Sequence, residues 1–361
     1  MKQIVRIAAA LLLMAPPAAR AADFYAGKTL SVLVNFTAGG PTDIEARLVA
    51  RHIGRHIPGN PAIVVRNMGG AGGVIGTNWL GEIAPPDGLN LGYLTGAASK
   101  AAVGDKAIRV DVTKLAFIAG GPGVSVAYIR TDTPPGMRVP ADIMKARDFW
   151  AGGLSADSDK DIRERMQLDL LGVPFKYITG YPGSAEARLA LQRNELQMYP
   201  ESMPTYRATI EAGLVKAGEA IPLWHDPLDD GEKFTASPDA DGIPAKTFTD
   251  FLIEQKGGLP KSGLFDAFRL INSVGTVFLR VIAMPPGTPK EAVADIKGAF
   301  EAMVKDPAYR DDAVKTMKFV PNFIVDDKTE KLFRDKLNPD PKLRAFIQNY
   351  VEQGRAMNGK K

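Results

Sequence analysis

The chain has 361 residues, 45% of them hydrophobic and 24% charged, with a formal net charge of +4 and no cysteine. That length allows two domains of ordinary size, and the lack of cysteine excludes disulfides, thiolate metal sites, a cysteine nucleophile and a lipid-modified cysteine. Residues 1–21 hold Lys2, Arg6 and Arg20 and no acid, so the remainder carries only +1 and lacks the clustered basic face that a nucleic acid requires.

Lys2 and Arg6 precede the apolar run 7–14, and Ala19-Arg20-Ala21 offers the small-x-small pattern of a secretory cleavage site before Ala22. The run is too short to anchor the chain in a bilayer, and no other segment approaches the length of a membrane span. This predicts a signal peptide over residues 1–21, cleaved near Ala21, and export to the periplasm.

The apolar run 29–34 predicts a buried strand, and Asn35-Phe36-Thr37-Ala38-Gly39-Gly40-Pro41-Thr42-Asp43 turns from it into a helix reaching about residue 57. Thr42, with Glu45 three residues on, matches a capping box and predicts the helix start at Thr42. Gly39 and Gly40 have no side chains to cover the backbone there, so free amides are available to hold an anion. The alternative is that the two glycines only make a tight turn in an α/β sheet. Glu45 is expected to act on the helix dipole, an effect of about 0.3–1 kcal/mol. Asp43 beside an anion site would have to meet its ligand through water, a ligand hydroxyl or a protonated ligand group.

A second strand is predicted at 62–65, followed by the glycine-rich exit 66–76. A dinucleotide fingerprint beginning at Gly70 would need glycine at position 75, where Ile75 stands. Pro85-Pro86-Asp87-Gly88 is a turn, and a third strand over 89–94 ends at Thr95-Gly96. Strands alternating with helices predict an open parallel sheet with its ligand beyond the C-terminal strand ends.

Gly120-Gly121-Pro122-Gly123 interrupts the apolar stretch 114–130 and predicts a strand followed by a crossing into a second domain. There the pattern repeats. A loop over 152–158 containing Ser155 precedes a helix at 159–171, and Gly183-Ser184-Ala185-Glu186 follows a strand at 175–178 and opens another helix. Strands are predicted at 196–199 and 221–224, a surface loop at 226–244, helices at 245–254 and 264–272, and a returning strand at 275–283. Thr288 sits where a cap is expected and Pro289 at the first position of a helix over 290–304, with amphipathic helices to the end. The expected division is 22–124 plus 277–361 as a first α/β domain with C-terminal helices, and 125–276 as a second.

The three histidines are His52, His56 and His225. His52 and His56 have helical metal-ligand spacing but no third ligand at a recognised spacing, so they read as solvated helix positions. No serine lies in a G-x-S-x-G elbow, and Ser155 and Ser184 have no assignable base, so no catalytic residue, metal or cofactor is expected. Trp150 and Trp224, at the ends of apolar strands, are expected in the core.

Phe36 with Ala38-Gly39-Gly40-Pro41-Thr42-Asp43 and Ala46-Arg47, Asn67 with Gly70-Ala71-Gly72-Gly73 and Gly76, and Ala84-Pro85-Pro86-Asp87-Gly88 resemble the N-terminal signature of the Bug family. These are the TctC-like periplasmic solute-binding proteins of tripartite tricarboxylate transporters. The stretch 180–187 with Asn194-Glu195-Leu196 is similar to that family's second-domain binding loop, and Pro285-Pro286-Gly287-Thr288-Pro289 and Asp306-Pro307 to its C-terminal part. Asn35 and Thr37 stand where the family usually has prolines.

The resemblance implies a two-domain, type II-like "Venus flytrap" that closes on a small organic acid in the interdomain cleft, holding a carboxylate with backbone amides and waters. Carried over, the first loop supplies Phe36, Ala38, Gly39, Gly40, Thr42 and Asp43. The facing loop supplies Gly183, Ser184, Ala185 and Glu186, with Thr95 and Ser155 in support. The implied protein is a non-enzymatic monomer delivering its ligand to membrane permease subunits. The alternatives are a periplasmic hydrolase or isomerase using Asp43 or Glu186 as base, and a ligand-binding partner of a membrane sensor kinase.

Overall fold

The computed structural model describes residues 24–357, so the expected signal peptide lies outside the described residues. Two sheets organise the chain. The first contains β1 (Thr29–Val34), β2 (Ala62–Asn67), β3 (Asn90–Thr95), β4 (Ala116–Gly121) and β13 (Arg280–Met284), in the order β2-β1-β3-β13-β4. β1 pairs in parallel with β2 and β3, while β13 runs antiparallel between β3 and β4.

The second sheet has the order β12-β9-β5-β8-β6-β7. Its strands are β5 (Ser125–Arg130), β6 (Trp150–Gly153), β7 (Lys176–Thr179), β8 (Met198–Ser202), β9 (Ala220–His225) and β12 (Lys246–Thr247). β5 is antiparallel to both neighbours and the other pairings are parallel. The chain passes between the sheets twice, through residues 122–124 and 277–279. A small hairpin of β10 (Leu228–Asp229) and β11 (Phe234–Thr235) stands apart.

The helices are α1 (Pro41–Ile53), α2 (Val74–Glu82), α3 (Ala97–Val103), α4 (Asp159–Leu171), α5 (Ser184–Gln192), the short α6 (Met203–Thr205) running into a π-helical stretch (Tyr206–Val215), α7 (Phe248–Lys256), α8 (Gly263–Thr276), α9 (Lys290–Met303), α10 (Pro307–Met317), α11 (Asp327–Leu337) and α12 (Pro341–Met357). None of the described helices is long and apolar enough to cross a membrane.

Strand periodicity sends alternate residues of β1 to opposite faces. Leu30, Val32 and Val34 pack with Leu48 and Val49 of α1 and Phe300 of α9, whereas Leu33 joins Leu80 of α2 and Leu94 on the other face. That second core does not stop at the first sheet. It continues through Phe268 and Ile271 of α8 to Met166 of α4 and Ala151 of β6, and Ile347 and Val351 of α12 belong to it. α8 accordingly packs against α3, α4, α11 and α12.

Several expected boundaries change for physical reasons. α8 runs to Thr276, beyond the expected 272, and the returning strand begins only at Arg280. Its polar side chains find acceptors: the Ser273 hydroxyl donates to Asp229, Asn272 Nδ2 to the Pro227 carbonyl, and Thr276 to the Asn272 carbonyl. An apolar run alone does not separate helix from strand. The 226–244 segment is not simply a surface loop, because Asp229 is fully buried and paired with Arg269 at 3.0 Å and Lys336 at 3.6 Å. Thr288 bonds back to the Pro285 carbonyl and Pro289 is the cap of α9, one position later than expected. Trp224 is buried with its indole N–H on Gln167, and Trp150 packs half-buried against the second sheet's core.

Candidate functional site

α1 begins at Pro41 with Gly40 as its cap, and no side chain caps it. The expected capping box does not form. The Thr42 hydroxyl lies 3.1 Å from that of Thr95, joining the exits of β1 and β3, and Glu45 is buried in an ion pair with Arg280 of β13 at 2.9 Å. A tertiary ion pair outcompetes a local reach back to the helix start. Ile44 N–H makes the first helical bond, to the Gly40 carbonyl. Pro41 has no amide hydrogen, and the Thr42 and Asp43 amides have no intrahelical acceptor.

Gly39 differs from expectation too. Its N–H is donated to Asp43 Oδ2 at 2.8 Å, so it is not free. The buried Asp43 also receives Arg47 Nε at 2.9 Å and Asn67 Nδ2 at 2.8 Å. Burial acts to raise the Asp43 pKa, but the bonds from Arg47, Gly39 and Asn67 outweigh it and hold the carboxyl below the ordinary carboxylate value. Its charge is spent inside the turn, which removes the tension between a carboxylate and an anion site. A base must be able to take a proton, so the same bonds disfavour Asp43 as a general base.

The residue that shapes this edge was missed in the sequence. Asn35, fully buried, donates Nδ2 to the carbonyls of Gly73 (3.1 Å) and Thr95 (3.0 Å) and accepts the Thr95 N–H at 2.9 Å. It ties the exits of β1 and β3 to the start of α2. A Cβ at Gly73 would come within 2.4 Å of Asn35 Nδ2, and one at Gly76 within 2.8 Å of Asn35 Cβ. The glycine-rich exit after β2 is therefore shaped by close packing on Asn35. The available signal was a polar amide ending an apolar strand.

Asp161 is the counterpart in the second sheet. It accepts from the Leu154 N–H (3.2 Å), Ser158 (2.7 Å), Tyr177 (2.7 Å) and Thr179 (3.2 Å), fastening the ends of β6 and β7 to the start of α4. Burial is the largest influence on it and raises its pKa despite these donors.

α5 starts at Gly183, again with no side-chain cap. The Ser184 hydroxyl accepts from Tyr199 at 2.9 Å, Ala185 and Glu186 are exposed, and a Cβ at Gly183 would meet only Glu186 Oε2, at 2.9 Å. Beneath it, fully buried Glu201 pairs with Arg188 at 2.7 Å and Lys160 at 4.0 Å. The Ser155 hydroxyl donates to Asp157 at 2.6 Å. Phe36 packs on the first core and its carbonyl receives Asn67, while Ala38 is exposed.

The structure thus joins Thr42 to Thr95 and Gly39 to Asp43 at one sheet edge, and holds Gly183 and Ser184 at the edge of the other. No hydrogen bond links the two groups among the described residues. A pattern emerges from the caps: α1, α2, α3 and α5 all start at glycine (Gly40, Gly73, Gly96, Gly183) without a side-chain cap. α4, α7, α8, α10 and α11 are capped by their own Ser, Thr or Asp.

Between the two sheets lies a cavity of about 450 Å³ bounded by Pro41 and Ile44 of α1, the crossing residues Val124 and Leu279, and Ser202 and Met203; the start of α1 reaches it through Pro41, whereas the start of α5 does not line it. A larger recess of about 900 Å³ between residues 104–113 and α11–α12 touches none of these helix starts, so it is not the candidate site. His52 and His56, read as solvated helix positions, are instead tied down: His52 Nε2 lies 2.8 Å from Asp312 and His56 Nε2 3.0 Å from Asp306, linking α1 and the turn after it to α10 and its cap.

No protein-family model matches the chain. A UPF0065 protein of Agrobacterium vitis is 40% identical over 212 residues, 56% of this chain and 59% of that protein. The chain thus spans about three fifths of that relative. A UPF0065 protein of Cupriavidus necator is 26% identical over 325 residues, covering 86% and 85%, and protein BugT of Bordetella pertussis is 41% identical over 83 residues, covering 23% and 24%. Among solved structures, a TctC solute binding protein from Polaromonas superposes with a TM-score of 0.62 at 18% identity, covering 91% of this chain and 99% of that one. This is the Bug/TctC periplasmic binding protein fold. BugD shares that fold at a TM-score of 0.56 and 19% identity, covering 92% and 98%. A Rhodopseudomonas palustris protein with adipate has a TM-score of 0.57 at 17% identity over the same shares. The Bug/TctC fold accounts for the two sheets and the double crossing between them.

Proposed function

We propose that the chain is a periplasmic receptor that captures a small organic carboxylate and delivers it to the permease of a tripartite-type transporter. The observation that carries this reading is that α1 and α5, one from each sheet, begin at glycine with no side chain on their first amides. Such ends carry partial positive charge and unpaired donors, a ready site for an anion. The adipate in the R. palustris neighbour is consistent with a carboxylate ligand. In this reading 22–124 with 277–361 and 125–276 close on the ligand about residues 122–124 and 277–279, the ligand meeting Gly40, Thr42 and Asp43 backbone on one side and Gly183 to Glu186 on the other. Thr95 and Ser155 support the two loops through Thr42 and Asp157.

A thermal-shift screen of residues 22–361 against mono-, di- and tricarboxylates, with Gly183→Leu as control, tests this. Binding raises the melting temperature in proportion to saturation. Gly183 has an extended backbone with only the mobile end of Glu186 nearby, so Gly183→Leu is expected to fold normally and lose at least about tenfold in affinity. An acid-induced shift as large in Gly183→Leu as in wild type would overturn the loop assignment.

A further inference from the structure

The cavity at the crossing segments narrows what the receptor holds, and this inference rests on the receptor reading above. Its apolar walls are Ile44 of α1, Val124, Met203, Pro204, Leu279 and Phe319. Its volume of about 450 Å³ lies in the lower part of the range of small-ligand sites, about 300–1,000 Å³. It is continuous with the α1 start, because Pro41 lines it.

The charges around it do not suit a polyanion. Arg280 borders the cavity, but its guanidinium is bound through Nε and Nη2 to Glu45, each at 2.9 Å. That pair is neutral as a unit and is not free to receive a second carboxylate. Asp239 adds an acid, and Lys318 is an exposed cation at the lining. A hydroxylated di- or tricarboxylate would bring a further negative charge near Glu45 and Asp239, and the hydroxyls of Ser202, Thr205, Thr209 and Thr316 on the lining carry no charge to receive it. Polar groups removed from water without partners are costly, whereas an apolar body gains from the same walls.

We propose that the ligand is a carboxylate joined to an apolar alkyl or aromatic body, with its acid group at the start of α1 and its body in this cavity. The ligand is not a hydroxylated di- or tricarboxylate.

Titration calorimetry with hexanoate, octanoate and benzoate against malate and citrate tests the proposal, together with Ile44→Asp and Ala208→Trp. Both positions border the cavity and are exposed, so both variants fold. The apolar-bodied acids are expected to bind at least about tenfold tighter than malate or citrate, and each variant to weaken them by about tenfold, the scale of a lost methylene-sized contact. Tighter binding of malate or citrate, or apolar acids indifferent to both substitutions, overturns the apolar-body assignment and leaves the receptor reading standing. If no carboxylate of either class binds the wild type, the receptor reading fails and takes this inference with it.

Discussion

At the scale of single residues, the site edges depend on two buried polar side chains, Asn35 in the first sheet and Asp161 in the second. Asn35 is bonded on both ends of its amide, and its role is positioning: it fixes where β1, β3 and α2 meet, and so where the α1 turn stands. Replacing it by alanine leaves the Thr95 N–H without its acceptor in a buried place. Asn35→Ala is therefore expected to cost about 2–4 kcal/mol in urea unfolding; a loss below about 0.5 kcal/mol would show that the clamp is idle. Asp43 illustrates why a residue type does not declare its role. A carboxylate beside a proposed anion site reads as a contradiction until its three donors are known.

At the scale of elements, the helix ends were legible in part. Gly39 and Gly40 read as leaving free amides ahead of a helix capped at Thr42; instead Gly40 and Gly183 are the uncapped starts, the Gly39 amide is taken by Asp43, and the Thr42 and Glu45 capping box failed because both side chains found partners on other strands. Histidine spacing on α1 was likewise seen but misassigned, since Asp306 and Asp312 are distant in sequence. Arg55 donates to His52 Nδ1 at 2.9 Å, so the imidazole proton sits on Nε2 and is directed to Asp312. Hydrogen bonds from His52 first, then Arg51, hold the Asp312 pKa down at about 2 against an ordinary 3.8. A carboxylate with a depressed folded-state pKa stabilises fully above the unfolded value, and that contribution is lost as pH falls from 3.8 toward about 2. Asp312→Asn is expected to lower the melting temperature at pH 7 and to converge on wild type near pH 2. Curves offset equally at both pH values would remove the α1–α10 pairing as the cause.

At the scale of the whole molecule, the two sheets are not joined by the crossing segments alone. α12 packs against α3 beside the first sheet and against α8 and β7. Arg165 of α4 lies between the rings of Tyr177 and Tyr350, 4.9 and 4.8 Å from their centres, and donates to the Tyr350 carbonyl at 3.0 Å, while the Tyr350 hydroxyl donates to Asp169. Tyr350→Ala removes a nearly buried ring and its stacking on Arg165. It is expected to cost about 3 kcal/mol or more in denaturant unfolding; an effect below about 1 kcal/mol would mean that α12 does not brace the second sheet.

The sequence by itself determined the α/β alternation, the crossing at residues 122–124 and the glycine starts facing one edge, because these follow from periodicity and backbone freedom, which are local. It also carried the Bug-family resemblance, which the shared fold supports. Tertiary structure decided what Thr42, Asp43, Glu45 and the α1 histidines do, how far α8 extends, and that an apolar cavity adjoins the α1 start. Each of those depends on which distant partner satisfies a buried charge or fills a wall, and long-range pairing leaves no trace in local spacing.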